Sequence, residues 1–362
     1  MRDILRTIIV LSFLSKQEKG WVGIDIGSSS VKMVALSKRG GALRLDSYAI
    51  VPLPSTAVIE NSIQDIGQVS EAVDKGVKLC GGGLTTCVAA VPSSAVIAKQ
   101  VQVSNAFSEF ELEEQVKLEA DRFIPYPLNE IALDFEVLGP VEGSPELNDI
   151  LLVACRRDDV EMREDAINSS GLKCEVVDVD RFATERVTAL LDNADEVGDQ
   201  LIGLVDIGAS TLTLNVFKNG KIVYDREQAF GGNDLSNVIH QQSGLEAGEV
   251  EHLLRSGELS EDLKQSVVLP FRSTVSQQVS RALQFFYSSG PHNELSKLYI
   301  LGGTAAIDGL AEQMEAEVGV TVEKANPFAS MSVDPKINAS RLNQDAPTLV
   351  KACGLALRSF EG

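Results

Sequence analysis

Residues 23–36 read GIDIGSSSVKMVAL, a stretch in which two runs of alternating apolar side chains flank a polar bend. Alternation of this kind is typical of β-strands that bury one face. The bend carries Asp25, Gly27 and three consecutive serines, which a buried strand does not need for its own stability. The stretch therefore predicts a strand, a tight turn and a second strand, with polar groups gathered at the turn.

The same pattern returns at residues 204–217 as LVDIGASTLTLNVF. Asp25 aligns with Asp206, and Gly27 aligns with Gly208, 181 residues further along the chain. Internal duplication is the simplest explanation, and such self-similarity indicates the architecture of a whole chain. We expect two related halves that each begin with this strand, turn and strand.

Two such bends that face each other across a cleft would offer two sets of backbone N–H groups to one polyphosphate. The predicted phosphate contacts are Gly27, Ser28, Ser29, Ser30 and Lys32 in the first copy, and Gly208, Ala209, Ser210 and Thr211 in the second. Asp25 and Asp206 would hold a hydrated Mg²⁺ through water. The nucleotide fingerprints GxxxxGK[ST] and GxGxxG do not occur in the sequence.

A third motif lies in KLYILGGTAAIDGL at residues 297–310. Gly302, Gly303 and Thr304 stand between a predicted strand and a predicted helix, where paired glycines let the backbone approach a ribose or an α-phosphate closely. The alternative interpretation is a tight connection between strand and helix without a ligand. Together with the two bends, this motif favours a nucleotide site.

The bulk composition excludes several classes of function. The formal net charge of −20 disfavours non-specific binding to nucleic acid or to an anionic membrane. Five cysteines without a CxxC pair indicate a reducing compartment, and three scattered histidines argue against a zinc site.

The N-terminal tail, residues 1–19, begins with a basic segment and a short apolar stretch. The apolar stretch is too short to span a bilayer, and no A-x-A cleavage site follows it. Three interpretations stay open: a short amphipathic helix that touches a membrane, a docking segment, or a tail upstream of the true start. We favour the last, with Val10 as the initiator codon, because the chain then runs directly into the first strand.

Local patterns predict the elements around these motifs. Apolar spacing indicates a helix over residues 66–79, and FSEFELEEQVKLEADRF at 107–123 reads as an amphipathic helix that Pro125 and Pro127 terminate. GPVEGSPELND at 139–149 has the composition of a surface loop, and Asn219-Gly220 marks a hairpin. The acidic DNADEVGDQ at 192–200 is the best candidate linker.

The three motifs resemble those of the actin-like ATPase superfamily, which includes actin, sugar kinases, heat-shock chaperones and the division protein FtsA. The helix around Asp178 to Leu191 and the final helix through Gly354 look like its two connecting segments. The resemblance implies an α/β fold of two lobes, built from duplicated ribonuclease H-like domains around a cleft for ATP or ADP with Mg²⁺. The expected division is a tail at 1–19, lobe 1 at 20–193, lobe 2 at 194–344, and a C-terminal helix at 345–362 that returns to lobe 1.

Within the superfamily, the sequence is most similar to the PilM family of type IV pilus assembly proteins. The segments that carry this resemblance are EADRFIPYPLNEIALDFEV, REQAFGGNDL, VSQQVSRALQFF, NPFASM and ACGLALRSF. It implies an FtsA-type inserted subdomain at about 92–172 and a groove for the cytoplasmic N-terminal peptide of the membrane protein PilN. We place the groove at Phe123, Ile124, Pro125 and Tyr126, although RFIPYP is equally well explained as a helix stop with buried aromatic rings.

As a member of this family, the protein is expected to be cytoplasmic and attached peripherally to the inner membrane through its partners. Those partners are expected to be PilN, the PilN/PilO/PilP alignment complex and, further out, the pilus platform protein and motor ATPases. Self-association is a further expectation.

Nucleotide turnover is the less favoured use of the predicted site. Hydrolysis needs a group that orients water, and Asp178 or Asp180 could serve, although either could equally cap a helix. Ala209 stands where sugar kinases of the superfamily carry a carboxylate. Glu249 is the predicted adenosine contact, but Leu254-Arg255 follows it where FtsA-like proteins tend to have a lysine, which weakens that assignment.

Three classes of function therefore stay open. An ATP-binding assembly scaffold is favoured over an FtsA-like division or filament protein, which would carry an amphipathic membrane helix after its fold. A small-molecule kinase ranks third, because the carboxylate that it needs is replaced by Ala209.

Overall fold

The computed structural model describes residues 18–191, 200–245, 249–250, 253–254, 257–290 and 294–361. Residues 1–17 and 192–199 lie outside these ranges. The interpretations of the N-terminal tail and of the acidic linker therefore stay predictions.

Sixteen strands and ten α-helices lie in the described ranges. The strands are β1 (Glu18–Ile26), β2 (Ser30–Arg39), β3 (Ala42–Pro52), β4 (Val58–Ile59), β5 (Ser62–Ile63), β6 (Thr86–Val91), β7 (Val96–Ser104), β8 (Ile131–Val141), β9 (Ser144–Arg156), β10 (Lys173–Val179), β11 (Leu201–Ile207), β12 (Thr211–Lys218), β13 (Lys221–Ala229), β14 (Lys297–Leu301), β15 (Val322–Lys324) and β16 (Ser332–Val333). The helices are α1 (Ile66–Leu79), α2 (Glu109–Phe123), α3 (Arg157–Asn168), α4 (Asp180–Leu191), α5 (Gly232–Ser243), α6 (Glu261–Leu263), α7 (Leu269–Ser288), α8 (Leu310–Val318), α9 (Ala339–Asp345) and α10 (Val350–Leu357).

Two large sheets repeat one topology. The first sheet has the order β10-β6-β1-β2-β3-β16, and the second has the order β13-β12-β11-β14-β15. In both, the strand before the bend pairs antiparallel with the strand after it and parallel with a later strand on its other side. The duplication predicted from the two DIG motifs is confirmed, and each copy has the ribonuclease H-like strand order.

The second half begins as its sequence predicts, with three strands joined by tight turns. Asn219 and Gly220 connect β12 to β13 with φ angles of 53° and 73°. Positive φ at both central residues is the type I′ geometry that Asn-Gly favours, because its twist matches that of the flanking strands.

A third sheet, with the order β7-β9-β8, lies in the segment between β6 and β10. The prediction of a loop at 139–149 is wrong, because most of these residues belong to β8 and β9. Gly143, with φ of +81°, allows a tight turn. Pro140 is accommodated because β8 is an edge strand, where a missing N–H costs no ladder hydrogen bond.

Helix α2 covers this third sheet. Ser108 caps it in a reciprocal capping box with Glu111, which satisfies backbone donors of the first turn. Val116 packs with Ile150 of β9 in the small core between helix and sheet. The helix ends at Phe123, before the two prolines, as its sequence predicts.

Helix α10 lies at backbone contact with both α4 and β1. A Cβ on Gly354 would overlap the Ala183 carbonyl, and a Cβ on Gly23 would overlap the Ala352 carbonyl. The two glycines therefore allow this helix to lie at backbone distance from both β1 and α4. The C-terminal helix thus packs against the first sheet.

We expect Gly354→Ala to lower the free energy of unfolding by about 2 kcal/mol or more, because the new methyl group meets rigid backbone rather than a flexible side chain. Chemical denaturation of the full chain would measure this. Gly67→Ala in α1 is the matched control, since its methyl group meets only the end of the Asp65 side chain, at 3.2 Å. Equal stability of the two variants would contradict the close contact.

Candidate functional site

The two bends have the same internal hydrogen bond. In the first, the Gly27 N–H donates to the Ser30 carbonyl at 3.1 Å; in the second, the Gly208 N–H donates to the Thr211 carbonyl at 2.9 Å. Each glycine therefore closes a tight turn between the strand that carries the aspartate and its antiparallel partner. The local geometry repeats as closely as the sequence does.

The bends also face each other in space. The hydroxyl oxygens of Ser28 and Ser210, 182 residues apart in the chain, lie 3.3 Å from each other. We call the space bounded by the bends at 27–30 and 208–211 the central cleft. The structure thus brings both sets of predicted phosphate contacts to one place.

The third motif lies against the second bend. Gly302 has a φ of +88°, and a Cβ there would overlap the Asp206 carboxylate, so no other residue fits without strain. The Thr304 hydroxyl donates to the Gly208 carbonyl at 3.2 Å, and the neighbouring Gly303 is exposed. All three motifs are therefore contiguous.

A glycine pair that the sequence analysis did not place in the site supports the second bend from behind. The Gly232 N–H donates to the Gly208 carbonyl at 2.9 Å, and the Asn233 N–H donates to the Ala209 carbonyl at 2.8 Å. A Cβ on Gly231 would come within 2.6 Å of the Ala209 backbone. The start of α5 thereby holds the bend in place.

A lysine that the sequence analysis missed bridges the cleft. The Lys351 Nζ lies 2.9 Å from the Asp180 carboxylate and 2.8 Å from the Asp206 carboxylate. The backbone N–H of Ser93 donates to the other oxygen of Asp180 at 2.8 Å, and the Ser93 hydroxyl donates to the same oxygen. Asp180 is thus held by three donors.

These contacts fix the charge states. Burial raises the pKa of the Asp180 carboxyl, but the Lys351 charge and the Ser93 hydrogen bonds outweigh it and lower the pKa overall. Desolvation lowers the pKa of Lys351, yet Asp180, Asp206 and Asp25 together hold it well above its ordinary value. The bridge is therefore ionised on both sides at neutral pH.

The acidic residues fit a hydrated magnesium ion rather than one bound by carboxylates alone. The Lys32 Nζ lies 3.1 Å from Asp25 Oδ2, and the Lys351 Nζ lies 2.8 Å from Asp206 Oδ2, so one oxygen of each carboxylate is already paired with a lysine. In the described ranges, no three His, Cys, Asp or Glu residues are close enough together to hold a metal ion. A Mg²⁺ here would depend on phosphate oxygens and water.

Two of the predicted site residues, Asp178 and Glu249, take no part in the contacts described above between the two bends and Lys351. Asp178 forms an ion pair with Arg186 at 2.8 Å and is 3.8 Å from Arg358 near the end of the chain, which favours a structural role over water orientation. Glu249 is exposed, and its role toward adenosine stays a prediction.

Glu227, on β13, is a further carboxylate near the bridge. Although it is exposed, partial desolvation raises the pKa of its carboxyl, and the Asp180 charge adds to the rise. Lys351 and a hydrogen bond from Ser94 act in the opposite direction. Ser94 and Glu227 belong to the two halves of the chain, so this contact is a further link between them.

The residues predicted to form the partner groove lie at the end of α2 and directly after it. Phe123, Pro125 and Tyr126 are exposed, whereas Ile124 is buried. Basic groups lie beside both rings, with the Lys99 Nζ 5.0 Å from the Phe123 centroid and the Arg156 guanidinium 5.8 Å from that of Tyr126. Ile124 packs with Leu128, Ile131 and Leu133. These three residues also line a depression of about 420 Å³, together with Lys117, Ala132 and Arg157.

The duplicated sheets and the facing bends define an actin-like fold. A family model described as type IV pilus assembly protein PilM matches residues 23–360. Because the match spans nearly the whole chain, the chain belongs to the PilM family.

Two solved structures are similar to this chain. A PilM-PilN type IV pilus biogenesis complex is similar with a TM-score of 0.77 and 27% identity, over 95% of this chain and 99% of that one. The ethanolamine utilization protein EutJ from Carboxydothermus hydrogenoformans is similar with a TM-score of 0.55 and 16% identity, over 94% and 89%. The second likeness concerns the fold alone. Among the described residues, no helix has the length and apolarity to cross a membrane.

The raised pKa of Glu227 leads to a prediction on pH dependence. At pH values above the ordinary glutamate pKa of 4.5, the carboxyl of Glu227 ionises, and the fold disfavours the ionised form. The Glu227→Gln variant should therefore gain stability relative to wild type as pH rises. We expect no difference near pH 4 and a gain of about 0.5 kcal/mol at pH 7, since solvent screens this exposed group. Denaturant unfolding at both pH values measures it, and a difference independent of pH would contradict the shift.

Proposed function

We propose that this protein is an actin-like, ATP-binding scaffold of the type IV pilus machinery that binds the cytoplasmic N-terminal peptide of PilN. The observation that carries the proposal is the similarity over almost the full length to a protein solved in complex with PilN. In this role the protein is cytoplasmic, is attached to the inner membrane through PilN, and couples the PilN/PilO/PilP alignment complex to the pilus platform and motors.

The nucleotide part of the proposal is supported by the central cleft. Gly27 and Gly208 shape the two bends, the Ser28 and Ser210 hydroxyls meet at 3.3 Å, and Gly302 brings its backbone close to Asp206. Bound Mg²⁺ would supply charge neutralisation for the phosphates, with Asp25 and Asp206 as outer ligands through water.

Slow or absent turnover is part of the same proposal. Asp180, the carboxylate closest to the cleft among the predicted catalytic pair, already accepts from Lys351 and Ser93, so it is poorly available to accept a proton from water. Ala209 offers no base in the second bend. We infer that nucleotide sets a conformation that a partner recognises.

The partner groove is supported by chemistry that fits a short peptide. Phe123 and Tyr126 offer exposed rings. Ile124, between them in the chain, packs with Leu133, which lines the depression together with Lys117 and Arg157. Lys117 already pairs with Glu114 at 2.7 Å, so it is the apolar groups of this surface that favour a partner with apolar anchors.

Nucleotide binding predicts ligand stabilisation that depends on the first bend. At an ATP concentration about 100 times the Kd, with Mg²⁺, we expect the wild-type protein to gain about 2.7 kcal/mol of stability, seen as a higher melting temperature. Asp25→Asn should lose most of this gain. Asp74→Asn, which removes a surface partner of Lys78, should keep it. Equal gains in all three proteins would exclude the first bend from the site.

The peptide groove predicts a selective loss of PilN binding. We expect calorimetry to show that a synthetic PilN N-terminal peptide binds wild type, and that Phe123→Ala weakens binding about tenfold, or about 1.4 kcal/mol. Phe110→Ala, at the other end of α2, is the control, since this ring is 72% exposed and distant from the groove. Absence of peptide binding, together with phosphorylation of a sugar, would instead favour the kinase alternative.

A further inference from the structure

Two of the five cysteines lie side by side in the first sheet. Strands β6 and β10 pair in parallel, and Cys174 stands in register with Cys87. Both side chains lie on one face of the sheet, because both pack into the same core cluster. Neighbouring strands lie about 4.7–4.9 Å apart, and the two Cα atoms of a disulfide lie about 4.4–6.8 Å apart. The backbone spacing at this pair therefore suits a disulfide.

The two thiols also contact each other. A hydrogen bond joins them, with Cys87 as the donor, and it raises the pKa of the Cys87 thiol, as burial also does. The same hydrogen bond lowers the pKa of the Cys174 thiol, although burial and the Glu164 charge oppose it. Cys174 is therefore the thiol that more readily carries the negative charge, and the thiolate is the form of cysteine that attacks an oxidant.

Access to solvent differs between the two thiols in the same direction. Cys87 is fully buried, whereas Cys174 is partly exposed. Cys174 lies near the start of β10, which is an edge strand of the first sheet, and the pairing with β6 shifts its register between Cys174 and Val176. An oxidant can thus reach Cys174 from outside, and an irregular edge strand can adjust its backbone to a new bond.

The other three cysteines have different neighbours. Cys155 stands opposite Val96 of β7. Cys80 hydrogen-bonds with Ser47, and Cys353 is buried in α10. Among the strand pairs that the structure describes, Cys87 and Cys174 are the two cysteines in register.

We propose that Cys87 and Cys174 form a redox modification site, at which hydrogen peroxide closes a reversible disulfide. The Cys174 sulfur attacks one oxygen of the peroxide and becomes a sulfenic acid, while the O–O bond breaks and the other oxygen leaves as water with the Cys174 proton. The Cys87 sulfur then attacks the Cys174 sulfur, and the S–O bond breaks. The departing hydroxide takes the Cys87 proton, so two thiols and one peroxide give one disulfide and two waters.

The bridge joins the two strands between which the third sheet is inserted. Strand β6 precedes that segment in the chain, and β10 follows it. Shortly after β6, Ser93 donates to Asp180, which begins the helix that follows β10. The disulfide therefore ties together two strands whose next residues meet at the central cleft. In a reducing compartment such a bridge is transient, because cellular thiols reverse it by exchange. Its formation requires neither nucleotide nor PilN.

The test treats the reduced full chain with a small molar excess of hydrogen peroxide, quenches it in acid, alkylates the free thiols and maps the peptides by mass spectrometry. We expect wild type to yield two peptides of one chain joined through Cys87 and Cys174, about 2 Da lighter than the two reduced peptides together. Dithiothreitol should restore both thiols. Cys155→Ala and Cys80→Ala are the matched controls, and they should form the same bridge as wild type.

A trap for sulfenic acid tests the order of the steps. In Cys87→Ala, we expect dimedone to label Cys174 at least about fivefold more than in wild type, because no thiol is left to displace the sulfenic oxygen. If Cys87→Ala does not fold, the peptide map of wild type decides alone. Free thiols at both positions after peroxide treatment of wild type, a bridge to another cysteine or to a second chain, or equal dimedone labelling of Cys174 in folded Cys87→Ala and wild type would overturn the inference.

Discussion

The backbone contact of α10 with α4 and β1 is the constraint on which the rest of the structure depends. Gly354 and Gly23 remove the two side chains that would separate these elements, so helix meets helix and strand at carbonyl distance. The helix then contributes Val350, Ala352 and Cys353 to a core that also holds strands of both sheets. Both sheets are therefore assembled around the end of the chain, and the position of the cleft follows from that of one short helix.

The electrostatics of the cleft follow from the same arrangement. Carboxylates at the ends of β1 and β11 and at the start of α4 converge because equivalent strands end at the same edge of their sheets. Convergence of three anions is unfavourable without cations nearby. Lys32 lies on the strand next to its aspartate, in the register position opposite Asp25, whereas Lys351 arrives from 145 residues beyond Asp206. The cluster of three carboxylates thus contains one cation that is near in the sequence, Lys32, and one that is distant, Lys351.

The repeated motifs, and the elements that short stretches of sequence specify, could be predicted from the sequence. The two DIG motifs predicted duplicated sheets and facing bends, because the same short-range pattern specifies the same turn twice. The hairpin at Asn219-Gly220 and helix α2 were predicted for the same reason. The roles of Lys351 and Glu227 could not be predicted, because they arise only from contacts between segments that are distant in the chain. The one signal available in the sequence was a single lysine within the apolar run of α10. The residues at 139–149 were predicted as a loop because composition does not reveal strand order. Since β8 lies at the edge of its sheet, it tolerates Pro140.

Strand β16 affects which part of the first sheet's edge another chain could pair with. It follows the second sheet in the chain, yet it pairs parallel with β3 at the margin of the first sheet, where Arg44 also binds Asp334 at 2.6 Å. An uncovered margin of a sheet invites another chain to add its own strand. Since β16 pairs with Arg44 and Leu45, this part of the β3 edge is closed to strand addition by another copy of the chain.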